Sequence, residues 1–140
     1  MLLQRLKRFL PRLFQDSGDL LVGQNLAGID LGGANLSGSD LRKANLAEAN
    51  LTGATLVGTD LRGAVLRGAY LGWANLRSAD LRIAILERAE LEGADLRDAD
   101  FRGAHLSRQS LIDAGIAELQ VRGARVHGGG DGDPGRPSGA

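Results

Sequence analysis

Leucine returns at every fifth position along most of this chain: Leu26, Leu31, Leu36, Leu41, Leu46 and Leu51, and on without a gap to Leu96. Phe101, Leu106 and Leu111 extend the series, and Ile116, Val121 and Val126 keep its beat. Two residues before most of these sits a small residue, as at Ala34, Ala44, Ala49 and Ala54. Between the two usually stands Asp or Asn, as at Asn25, Asp30, Asn35 and Asp40, and Gly often follows two places after the leucine. A period of five suits neither regular element. On an α-helix each fifth residue turns by about 140°, which spreads the leucines over every face. On a continuous strand they would alternate sides. They share one core only if the chain turns by a fixed angle in each repeat. Gly, Asp and Asn tolerate such turns. The pattern therefore predicts a solenoid whose coils stack about 4.8 Å apart through backbone hydrogen bonds.

The segments "ANLSG" (Ala34–Gly38), "ANLTG" (Ala49–Gly53) and "ADLRD" (Ala94–Asp98) resemble the repeat of the pentapeptide-repeat family. The resemblance spans residues 24–113, with a weaker extension to 126. It implies an all-β solenoid, a right-handed quadrilateral parallel β-helix with four repeats to the coil, the central and small residues inward and the other three outward. Columns at a spacing of 20 agree with four sides: Asp40, Asp60, Asp80 and Asp100 form one, and Arg42, Arg62, Arg82, Arg102 and Arg122 another beside it. No comparable order exists at a spacing of 15. We expect paired charge ladders in which each Asp makes turn hydrogen bonds and the Arg column neutralises it. Cation binding or imitation of a phosphate track is the competing use.

Apolar residues at outward positions break the pattern. Val65 and Ile85 replace Asp or Asn in one column, Ile83 lies at the adjoining corner, Tyr70 replaces another polar residue, and Trp73 stands where Gly is common. All five fall within about one coil. They form a candidate partner surface, since Tyr and Trp are frequent anchors, or else they only cover backbone locally. Tyr70 and Trp73 belong to the next side round from Val65 and Ile85.

The ends differ from the middle. In residues 1–18, Leu2, Leu3, Leu6, Phe9, Leu10, Leu13 and Phe14 fall at helical spacing, with Arg5, Lys7, Arg8 and Arg12 on the other side. This predicts a short N-terminal basic amphipathic α-helix, broken near Pro11. It is read as a cap over the open end of the solenoid, as a face for anionic membrane, or as a transit peptide. The β-helix is assigned to residues 19–126. Within it, Gln109 and Leu119 interrupt the inward small positions, giving an irregular last coil or a short helix over 110–119. Residues 127–140 are too poor in apolar side chains to pack and read as a flexible tail.

Composition narrows the chemistry. The 140 residues carry 17 basic and 17 acidic side chains, so direct nucleic-acid binding is not expected. There is no cysteine, and no apolar run long enough to cross a bilayer. No secretory signal is recognised. A coil filled with Leu and Ala leaves no convergent catalytic pocket. His105 points outward and His127 falls at the start of the tail, so neither has an evident metal partner. The "GGGDGD" run is too short for a calcium loop, and Gly32–Gly33 lacks the lysine of a phosphate loop. No enzyme activity, catalytic residue, metal or cofactor is expected. The first functional reading is a non-catalytic protein-interaction or structural scaffold that binds another protein. The alternatives are a topoisomerase-binding protection protein imitating DNA, as some members of the family resembled are, and a membrane-peripheral structural protein. Such relatives are strongly acidic and dimeric; this chain is neutral, though a homodimer is compatible with it. The expected location is cytoplasmic, with peripheral membrane attachment as the second reading.

Overall fold

The computed structural model describes residues 21–128. The amphipathic stretch from Leu2 to Phe14 and the chain after Gly128 lie outside the described residues. From Asn25 to Asp100, parallel bridges join residues 20 apart in four columns, for example Asp40 to Asp60, Val65 to Ile85, Tyr70 to Glu90 and Asn75 to Asp95. One coil is therefore 20 residues and has four sides, and the described chain makes about five coils. Most sides pair through a single residue. Longer pairing appears late, on one side: β1 (Ile85–Leu86), β2 (His105–Ser107) and β3 (Arg125–His127) form a parallel sheet in that order.

The backbone explains the repeat. Around Leu66, its N–H donates to Ile85 C=O of the following coil (2.7 Å), Val65 N–H donates to Ala44 C=O of the preceding one (2.9 Å), and Gly68 N–H donates to Glu87 C=O (2.9 Å). Ala69 N–H closes the corner by donating to Leu66 C=O at 3.0 Å. The fifth N–H belongs to the residue after the leucine, and the Asp or Asn before the leucine accepts it, as Asp60 Oδ1 does from Arg62 N–H at 3.2 Å. Every amide is thus partnered in a repeat that carries Asp or Asn before its leucine, such as that of Leu61. From Gly23 to Gly103 the corner residue two places after the leucine lies at positive φ. Gly occupies most of these corners, but so do Lys43, Glu48, Trp73, Ser78, Ile83, Arg88 and Asp98, at φ 55–60°.

The interior is a column of leucines flanked by alanines, fully buried from Leu36 to Ala89. Two hydroxyls stand in alanine slots, one coil apart. Thr59 Oγ1 donates to Leu36 C=O at 2.8 Å, whereas Ser39 Oγ is buried without a partner among the described residues. Burying an unpaired hydroxyl costs about 1–3 kcal/mol. Ser39→Ala is therefore expected to raise stability by about 1 kcal/mol, seen as a higher urea midpoint with an unchanged slope. A lower midpoint would show that the hydroxyl does find a partner.

The last coil departs from the pattern. Ser107 caps a short helix, α1 (Arg108–Asp113), by accepting from Ser110 N–H at 3.2 Å. Gln109, which interrupted the repeat in sequence, is an exposed residue of this helix. A 3-10 turn follows at Glu118–Val121. The helix is shorter and begins earlier than the 110–119 span suggested. Leu111 and Val121 still enter the core, and β3 then rejoins the stack in register, Leu106 against Val126 and Ser107 against His127. His127 is therefore part of the β-helix, where composition placed it in the tail.

Candidate functional site

The charge ladders occupy one side of the coil. Arg42, Arg62, Arg82 and Arg102 each donate to the carboxylate two residues earlier through Nε and Nη2, with Nη2–Oδ2 distances of 2.6, 2.6, 2.7 and 2.6 Å to Asp40, Asp60, Asp80 and Asp100. The first three guanidinium groups also face the next coil: Arg42 Nε lies 3.8 Å from Asp60, Arg62 Nε 3.7 Å from Asp80, and Arg82 Nε 3.8 Å from Asp100. The Asp column is thus interleaved with its counter-charges instead of forming a bare acidic track. Arg97 and Asp95 repeat the pairing on another side.

Hydrogen bonds from Arg82 and Arg102 hold the Asp80 and Asp100 carboxyls below the usual carboxylate range. The bond from Arg97 takes Asp95 from 3.8 to about 2. Because these groups bind protons more weakly folded than unfolded, the stability they contribute is complete above the unfolded value near 4 and is lost as pH falls through the folded values. We expect the urea midpoint to hold steady down to about pH 4 and to fall between about pH 4 and 2. The fall should be modest, since the pairs are solvent-exposed. A midpoint that rises over that interval would contradict the assignment.

The apolar outward residues do not form one patch. Val65 and Ile85 are bridged neighbours and half-buried, and Ile83 sits 63% exposed at the corner leading into their side. Tyr70 begins the following side and is 44% exposed. Trp73 lies 71% exposed at the corner beyond it. Ten residues, half a coil, separate Trp73 from Ile83, so these two stand at diagonally opposite corners. Each leans on a glycine of the next coil. A Cβ on Gly93 would meet the Trp73 ring at 2.5 Å, and one on Gly103 would meet Ile83 Cγ2 at 3.0 Å.

Three features escaped the sequence reading. An open groove of about 480 Å³ lies beside α1, with Glu90, Glu92, Gln109 and Asp113 on its walls. Arg67 reaches across one coil to Glu87 at 3.1 Å. On the same side, His105 Nδ1 and His127 Nε2 lie 3.0 Å apart with rings nearly parallel. The numbers could have shown this last meeting: 127 − 105 is one 20-residue coil plus two, and residues two apart on a strand face the same way.

A four-sided parallel β-helix with paired outward charges and a leucine interior defines the class of protein. The chain belongs to the pentapeptide-repeat family, whose model matches eight copies over residues 21–56, 44–82 and 84–128. Among solved structures, a pentapeptide-repeat protein of the Arabidopsis thaliana thylakoid lumen is 34% identical, covering 62% of this chain and 57% of its own, with a TM-score of 0.45. HetL, a pentapeptide-repeat protein involved in heterocyst differentiation regulation in the cyanobacterium Nostoc, is 46% identical, covering 57% and 39%, with a TM-score of 0.34. QnrB1, a plasmid-mediated fluoroquinolone resistance protein, is 19% identical, covering 64% and 67%, with a TM-score of 0.27. The chain thus spans little more than half the length of the first of these structures and less of the second. No curated protein matches it. Among the described residues no helix is long and apolar enough to cross a membrane.

Proposed function

We propose that the protein is a non-catalytic interaction scaffold that presents apolar corners of a rigid stack to another protein. The observation that carries this reading is Trp73: a large ring 71% exposed, on backbone at φ 58°, with a glycine beneath it. Ile83 repeats the arrangement at φ 55° with a β-branched side chain, which that region of backbone disfavours. Val65, Tyr70 and Ile85 also lack the carboxylate or carboxamide that caps the turn amide in repeats such as those of Asn50, Asp60 and Asn75, a bond worth about 0.5–1.5 kcal/mol. Folding alone favours Gly at the corners and Asp or Asn before the leucines. Departures that weaken the fold and expose apolar surface fit contact with a partner.

The test compares capture of soluble and membrane-fraction proteins by the intact chain and by a Tyr70→Ser, Trp73→Gly double variant. Glycine suits the left-handed corner, so the variant keeps its fold, which circular dichroism checks. A partner held only by the intact chain supports the reading; equal capture moves the contact away from these residues. The DNA-mimic alternative sits less well with an Asp column whose members carry their own guanidinium groups, and a gyrase supercoiling assay with a fluoroquinolone separates it. The N-terminal stripe from Leu2 to Phe14 keeps its readings as a cap, a membrane face or a transit peptide. Sedimentation with anionic vesicles, comparing the full chain with one beginning at Asp19, distinguishes a membrane face from a cap.

A further inference from the structure

We infer that Glu87, His105 and His127 form a binding site for a first-row divalent transition-metal ion, with Zn²⁺, Ni²⁺ and Cu²⁺ as the fitting class. The three residues come from three successive coils. His105 opens β2, His127 closes β3, and Glu87 directly follows β1. The register sets Ser107 against His127 and Leu86 against Leu106, so Glu87, Ser107 and His127 occupy one column, with His105 beside it. Because the leucine between them points inward, His105 and the column of Ser107 share the outward face. Ser107 is small, and its hydroxyl is committed to Ser110, at 2.6 Å from Oγ and 3.2 Å from the amide. The side chains of Glu87 and His127 can therefore converge across it.

One ligand atom from each residue lies within 4.8 Å of the other two, and all three residues are half-buried. The nitrogens His105 Nδ1 and His127 Nε2 are 3.0 Å apart. Two imidazole nitrogens bound side by side at about 2.0–2.1 Å from one ion would be about 2.9–3.4 Å apart, so the observed spacing is that of neighbouring ligands. Arg67 donates to Glu87 Oε2 from the preceding coil, at 3.1 and 3.3 Å. A carboxylate has two oxygens, and this contact orients the group as outer-shell partners do at metal sites. Two imidazoles and one carboxylate select borderline ions over Ca²⁺ and Mg²⁺, which prefer all-oxygen shells. Three protein ligands leave coordination positions for water or an outside ligand. Bound there, an ion ties the last coil, which follows the irregular α1 segment, to the two before it.

The chain contains only these two histidines and no cysteine, so imidazole-dependent metal binding reports on this site alone, provided the protein carries no histidine tag. Chelator-treated full-length protein is titrated calorimetrically with Zn²⁺, alongside His105→Asn, His127→Gln and Glu87→Gln. The expected result is one ion per chain, with affinity about tenfold or more lower in each histidine variant. Absence of saturable binding, or equal affinity in the wild type and both histidine variants, overturns the proposal. A second measurement needs no variant: with Cu²⁺ added to the wild type, electron paramagnetic resonance should show two coordinated imidazole nitrogens, and a spectrum showing one or none refutes the site. Zinc should also raise the melting temperature of the wild type reversibly, since a ligand that binds only the folded chain stabilises it.

Discussion

Leu66→Ala is expected to destabilise the protein by about 2–5 kcal/mol. Leu66 is fully buried, and so are Leu46 and Leu86, which lie one coil before and after it. In many cores a truncated side chain is partly compensated by collapse of its surroundings. Here the walls are coils whose spacing is fixed by short bonds on both sides, Leu46 N–H to Val65 C=O and Leu66 N–H to Ile85 C=O, each 2.7 Å. Collapse would break that ladder, so the cavity should persist. The urea midpoint measures the loss, with Leu21→Ala as comparison. Leu21 lies at the start of the described chain and is only partly buried, so its truncation should cost less. A Leu66→Ala penalty below about 1 kcal/mol would mean the stack does relax.

Gly93→Val should cost about 1–3 kcal/mol from backbone strain alone, because the residue sits at φ 69° and valine is β-branched. It also requires the Trp73 ring to move, since the new Cβ would lie 2.5 Å from two of its atoms. Trp73 is the only tryptophan. Its fluorescence should shift to the red and become easier to quench as the ring swings fully into water. Gly53→Val provides the control: it has φ 66° in the same column, but a Cβ there meets nothing within 4 Å. Gly53→Val should carry the strain with an unchanged spectrum. Identical spectra for the two variants would show that Trp73 does not rest on Gly93.

The five-residue beat was legible because only one kind of turn, repeated, puts Leu26 through Leu96 into a single interior. The spacing of 20 was legible from the charges, since Asp and Arg at the surface are arranged by their neighbours above and below. Less could be read where a residue's meaning depends on its corner. Val65, Tyr70, Trp73, Ile83 and Ile85 looked like a cluster along the chain, yet half a coil places Trp73 and Ile83 on opposite corners. The end of the chain was hardest. Helix α1 and the 3-10 turn stand where two sides of a coil would be; Ile116, Val121 and Val126 carried the beat past them, but the polar, glycine-rich run that opens at His127 hid that β3 extends to that residue. Composition therefore gave His127 to the tail, and its meeting with His105 went unseen. The N-terminal stripe lies outside the described residues and keeps its sequence-based readings.

The 20-residue coil also constrains how such a gene can change length. Adding or removing five residues keeps every leucine inside, so the protein still folds, but everything downstream rotates by a quarter turn relative to everything upstream. A five-residue insertion between Glu92 and Ala94 would leave the interior intact while carrying His105 and His127 round to a different side from Glu87 and Arg67. The Asp and Arg columns would be cut at the same point. Only steps of 20 preserve the surface pattern. In this architecture small duplications are a means of re-sorting surface chemistry without testing the core, and two lineages can share every inward residue yet display unrelated faces.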